Sequence, residues 1–129
     1  MQVTSSAVSL TVNDVAASSA FFSVHLGFRE QMAVDGFASL TRQDAAMDVI
    51  FLRRGIAVLP EGLRDEHAAG VIVALVVDDI DGELTRLSAE GVEITMGLRK
   101  EEWGEQLFQV TDPNGIVIQF VQWVTPGPS

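Results

Sequence analysis

From residue 7 the chain alternates apolar residues with Ser and Thr through AVSLTV, a period of two that predicts a half-buried strand. Asn13-Asp14 then offers a helix cap. Val15, Ala17, Ser18, Phe21, Phe22 and Leu26 follow at helical spacing, and Gly27 ends the run. Strand character returns from Phe28 to Val34, and Asp35-Gly36 marks a hairpin turn. Two further strands, 37–41 and 47–53, complete the order β-α-β-β-β. Residues 55–67 carry Pro60, Gly62 and mixed charges without a period, which reads as a linker.

The order then starts again. A strand over 71–77 leads into Asp78-Asp79, which caps a helix over 80–90 with Leu84 and Leu87 on its apolar stripe. Strands follow over 92–98 and 105–111, and Asp112-Pro113-Asn114-Gly115 makes a tight turn into the last strand, 116–124. Leu10, Val12 and Asp14 of SLTVNDV recur as Leu75, Val77 and Asp79 of ALVVDDI, half a chain later. Each copy precedes a helix and a glycine, Gly27 or Gly91, so the chain holds one unit twice. The boundaries expected within a single domain are about 5–54 for the first module, 55–68 for the linker and 69–124 for the second. A disordered tail, 125–129, is expected after it. One helix per module can cover only one face of its sheet. The class expected is therefore α+β: two tandem βαβββ modules forming a cup-shaped mixed sheet, with the helices on the outer face.

Composition narrows the function. At 129 residues and 47% hydrophobic the chain can bury a core, and no apolar run approaches the roughly 20 residues that span a bilayer. The start MQVTSSAV lacks the pattern of a signal peptide, so a cytoplasmic protein is expected. Eighteen acidic against eight basic residues argue against nucleic acid and anionic membranes as partners. With no cysteine there is neither a disulfide nor a thiolate nucleophile or ligand.

Leu10-Thr11-Val12-Asn13-Asp14, then Ser18, Phe21-Phe22 and Leu26-Gly27-Phe28, resemble the first module of the vicinal oxygen chelate superfamily. Trp103-Gly104 and Asp112-Pro113-Asn114-Gly115-Ile116-Val117-Ile118-Gln119-Phe120 resemble its last two strands. That group holds glyoxalase I, ring-cleaving dioxygenases and the bleomycin and mitomycin resistance proteins. The resemblance implies a divalent metal held by four inward His, Glu or Gln side chains in the enzymes. The corresponding positions here are Ala7, Phe51, Ile72 and Gln119, and only Gln119 offers a donor. His25 and His67 fall outside the expected concave face. No metal and no cofactor are therefore expected.

Strand alternation sorts the rest. With Leu10, Val12, Ala38, Leu40, Ile50, Leu52, Phe108, Val110, Ile118 and Phe120 assigned to the core, the cup is lined by Ser9, Phe37, Val49, Phe51, Leu107, Gln109, Gln119 and Trp123. Trp103 and Glu105 stand near its rim, and these ten are the candidate ligand contacts. An apolar, aromatic lining with a few amides and hydroxyls suits a flat hydrophobic molecule. It holds no paired carboxylates, no Ser/His pair and no Lys. What the resemblance then implies is a non-catalytic homodimer that sequesters a toxic aromatic antibiotic. The alternatives are a metal-free lyase or isomerase using Glu105 or Gln119, and a structural partner whose cup Phe37 and Phe51 fill.

Overall fold

A computed structural model describes residues 1–124. The tail expected to be disordered, 125–129, lies outside the described residues. The chain divides into two compact units, one spanning Met1–Ala69 and one beginning at Gly70. Among the described residues there are two helices and eight strands in two four-stranded mixed sheets, an α+β fold of tandem βαβββ modules.

In the first unit the elements are β1 (Ala7–Val12), α1 (Val15–His25), β2 (Arg29–Val34), β3 (Phe37–Thr41) and β4 (Asp48–Arg53). The sheet order is β1-β4-β3-β2, with β1 and β4 parallel and the other pairs antiparallel. Asp14 begins α1 as the residues suggest, its Oδ1 accepting the Ala17 N–H at 3.1 Å. After Leu26 the chain reverses through Gly27 at φ +70°, a conformation that costs glycine nothing. The backbone N–H groups of Leu26 and Phe28 both close on the Phe22 carbonyl. Phe22 is fully buried and packs edge-to-face on Phe28 and Phe51, with centroids 5.4 and 5.1 Å apart. Leu10, Val12, Ala38, Leu40 and Val49 complete that core.

At the β2–β3 turn, Arg53 donates to both Asp35 oxygens, and this hydrogen bond holds the Asp35 carboxyl below the usual carboxylate range. Residues 55–68 are more ordered than their lack of period implies. They contain a 3₁₀ turn, Glu61–Leu63. They are also tied to the first unit by the Ala68 N–H on the Thr11 carbonyl and by the Arg54 side chain on Asn13 and the Asp65 carbonyl.

The second unit comprises β5 (Ile72–Val76), α2 (Ile80–Ala89), β6 (Ile94–Lys100), β7 (Glu105–Thr111) and β8 (Val117–Trp123). Its order, β5-β8-β7-β6, repeats that of the first. Asp79 caps α2 through the Gly82 N–H at 3.0 Å. β6 starts two residues later than its apolar pattern suggests, because the Val92 N–H is spent on the Leu87 carbonyl at the end of α2. Ile80, Leu87, Phe108, Val110, Ile118 and Phe120 form the core, with the rings of Phe108 and Phe120 stacked at 4.8 Å.

Each cap satisfies one N–H that the helix itself leaves unpaired. Asp14→Ala and Asp79→Ala are each expected to lower stability by about 1 kcal/mol in urea denaturation. No change in the midpoint for either variant would count against a capping role.

Candidate functional site

In each unit the helix covers one face of the sheet, and the face away from it carries the candidate chemistry. The register sets which residues share that face. Opposite Ser9 of β1 stands Ile50, and opposite Ile50 stands Ser39; Thr11, Leu52 and Phe37 form the next row. Asp48 belongs to the same face, where Gln31 Nε2 donates to it at 3.1 Å and to Ser39 Oγ at 3.0 Å.

This register corrects the phase expected for β4. Val49 and Phe51, expected in the cup, lie on the helix side, and Ile50, expected in the core, is half-buried on the helix-free face; Leu52 shares the face of Ile50 by register and is nonetheless buried, as its expected core place requires. Val49 is 3% exposed and Phe51 is 0% exposed, and Phe51 lies against Phe22 of the helix. Val49-Ile50-Phe51-Leu52 is an unbroken apolar run, so its pattern has no phase of its own. One signal could have supplied one. Asp48 is polar and therefore puts 48, 50 and 52 on the outer phase. In the folded sheets Leu10 pairs with Phe51 as Leu75 pairs with Phe120, which matches Phe51 to Phe120. On that match the counterpart of Gln119 is Ile50, not Phe51.

Ser9 is exposed on β1, and Phe37 is half-buried at the hairpin end of β3. Phe37 also borders a solvent-open cleft of about 540 Å³ on the helix side, between the start of α1 and the β2–β3 hairpin. In the second unit, Glu105 pairs with Trp123, Leu107 with Val121 and Gln109 with Gln119 across β7 and β8. Trp103 lies in the turn before β7, 62% exposed, and its indole Nε1–H donates to Glu105 Oε1 at 3.1 Å. Five of the candidates, Glu105, Leu107, Gln109, Gln119 and Trp123, thus lie on one pair of strands, with Trp103 in the turn before them. Gln109 Nε2 donates to Gln119 Oε1 at 2.9 Å, and Thr95 and Thr111 join their hydroxyls at 2.9 Å. The pattern of single strands did not reveal Gln31, Asp48, Ile50 or Leu52 as members of a helix-free face, nor Thr95 and Thr111 as a pair.

The positions that the resemblance relates to a metal are Ala7 and Ile50 in the first unit, with Ile50 replacing Phe51, and Ile72 and Gln119 in the second. One amide oxygen among four side chains does not fit a divalent cation, which takes several oxygen or imidazole donors. His25 belongs to α1 and packs on Phe21, and His67 Nδ1 is engaged with the Ala68 carbonyl. Neither stands on a helix-free face.

Tandem βαβββ units with mixed sheets in a repeated strand order define the class of paired-module folds. Within that class the chain belongs to the Glyoxalase/Bleomycin resistance protein/Dioxygenase superfamily, whose profile matches residues 4–120. No curated protein sequence matches the chain. Among solved structures, it is similar to a glyoxalase/bleomycin resistance protein/dioxygenase from Nocardioides. That pair shares 20% identity over 98% of this chain and 87% of the other, with a TM-score of 0.75. It is also similar to TioX from Micromonospora sp. ML1, at 23% identity over 94% and 99% of the two chains and a TM-score of 0.71. Lactoylglutathione lyase from Agrobacterium tumefaciens shares 16% identity over 94% of each chain, with a TM-score of 0.74. At these identities the likeness establishes the fold. The superfamily contains enzymes, such as that lyase, and non-catalytic resistance proteins.

Proposed function

We propose that this protein binds and sequesters a flat aromatic natural product, protecting its host by mass action without turning the ligand over. The observation that carries this reading is the donor set on the helix-free faces. Ala7, Ile50 and Ile72 stand at three of the four positions related to a catalytic metal, on surfaces made largely of aliphatic and aromatic side chains. Such faces gain free energy by covering apolar ligand area, roughly 25 cal/mol per Å² removed from water. Trp123 beside Glu105, with the Trp103 indole bonded to the same carboxylate, adds ring surface at one end of β7 and β8. The assembly that fits this reading is a homodimer, and sedimentation at micromolar concentration tests it: a monomeric mass would refute it.

The binding experiment is a thermal-shift screen against planar antibiotics, run in EDTA and again with Mn, Ni, Zn or Fe. A ligand specific for the folded state is expected to add about 2.7 kcal/mol at a hundredfold excess over its Kd. The same shift should occur in EDTA, and the ligand should be recovered unchanged. A shift that requires metal, or recovery of a converted product, would place the protein among the superfamily's enzymes instead.

A further inference from the structure

The Gln109–Gln119 pair lies on the second unit's helix-free face, with apolar Leu107 and Val121 on one side of it and Thr111 and Val117 on the other. Along β8, Gln119 is flanked on that face by Val117 and Val121, and along β7 Leu107 stands next to Gln109. Across the sheet, its β5 neighbour is Ala74, set between Ile72 and Val76. Both amides are half-buried, and Leu107 and Val121 are buried. The one side-chain hydrogen bond of each glutamine among the described residues is the bond to the other, at 2.9 Å. A primary amide carries two N–H donors and an acceptor with two lone pairs. One shared bond therefore leaves the Gln119 NH₂ as a donor and the Gln109 carbonyl as an acceptor for other groups. Turning both amides over only exchanges the two roles.

We infer that this pair reads a matching edge on the ligand, an N–H adjacent to a C=O, as in a cis-lactam, an imide or a primary amide. The inference rests on the reading of this face as the one that holds a flat apolar molecule. Its physical basis is the asymmetry of hydrogen bonding at a surface that loses its water. A ligand lying over the two amides and the exposed Ile72, Ala74 and Val76 of β5 displaces the water that serves both amides. A ligand offering only apolar area then strands a donor and an acceptor, each at a cost comparable to a lost hydrogen bond. A ligand with the complementary edge replaces both bonds and keeps the apolar contact. Selection therefore comes chiefly from rejecting the wrong ligand, as in sites built to hydrogen-bond a group that competitors lack. Ala74 beside Gln119 provides the space, because its methyl group is the smallest side chain on that row.

Three tricyclic probes of nearly equal area separate the possibilities: phenanthridin-6(5H)-one, its N-methyl derivative and phenanthrene. Binding would be followed by titration with the side-chain amide resonances of Gln109 and Gln119 as reporters, alongside calorimetry. The lactam is expected to bind at least about tenfold more tightly than the N-methyl compound, which keeps the carbonyl but loses the donor. Both Gln side-chain signals should shift with the lactam. In the double variant Gln109→Leu/Gln119→Leu the order should invert, with phenanthrene preferred. Because both partners of the pair are replaced together, that variant leaves no unpaired amide and is expected to stay folded. Equal affinity for lactam and N-methyl lactam, with backbone shifts on β7 and β8, would overturn the edge and leave the binding face standing. Failure of all three probes to bind would overturn the flat-ligand reading and the inference with it.

Discussion

Phe51→Ala is expected to remove about 3–5 kcal/mol of stability, the range for deleting a large ring from a packed interior. Phe51 has no exposed surface, and its ring meets Phe22 edge-to-face at 5.1 Å beneath α1. Truncation opens a cavity between helix and sheet that Leu10 and Ala38, its neighbours on β1 and β3, cannot fill by rotation alone. Urea denaturation measures the effect, with Ile50→Ala as the comparison. Ile50 is the adjacent residue on the helix-free face and is only half-buried, so its truncation should cost roughly 1 kcal/mol. The comparison is pointed because alternation read from the sequence puts Phe51 in the cup. On that placement, Phe51→Ala would weaken ligand binding and leave the midpoint almost unmoved, which would reverse the assignment of faces in β4.

The second large effect is expected at Asp112. This carboxylate is 4% exposed at the start of the turn into β8. Its Oδ1 accepts the N–H groups of Asn114 and Ile116, both at 2.9 Å. Backbone bonds between Asp112 and Ile116 and from Gly115 to Asp112 close the same turn, with Gly115 at φ +85°. Asp112→Ala leaves two backbone donors without their partner and is expected to cost about 2–4 kcal/mol. Asp112→Asn keeps a carbonyl oxygen that can accept both bonds and loses only the charge assistance, so about 1 kcal/mol is expected. Equal losses in the two variants would show that charge, rather than the pair of accepted bonds, holds the turn. Because β8 carries Gln119 and Trp123, a loosened turn should also reduce ligand affinity in the alanine variant.

Much of the fold was legible because its signals are local. Asp14 and Asp79 announce their helices by side-chain chemistry that acts within three residues. Gly27 and Gly36 occupy positive φ, as the residue after a helix and a hairpin turn require. The duplication added the order of the second unit from that of the first. Residues 55–68 were harder to read, since their order comes from the bond of Ala68 to Thr11 on β1 and from the Arg54 side chain on the Asp65 carbonyl rather than from any pattern of their own.

The candidate site was legible strand by strand wherever a polar residue marked the phase. Gln109 between Phe108 and Val110, and Gln119 between Ile118 and Phe120, place their strands without ambiguity, and Ser9 does the same for β1. β4 has four apolar residues in succession, and a strand of that kind satisfies either face by composition alone. The sequence by itself determined the element order, the repeat and the poverty of metal donors, because each depends on residue identity and short-range spacing. Tertiary structure decided which face Phe51 takes and that Gln109 bonds Gln119. Both depend on the register of strands that meet only in the folded sheet, where the packing of Phe22 and the pairing of β7 with β8 select one alignment among several that the chain permits.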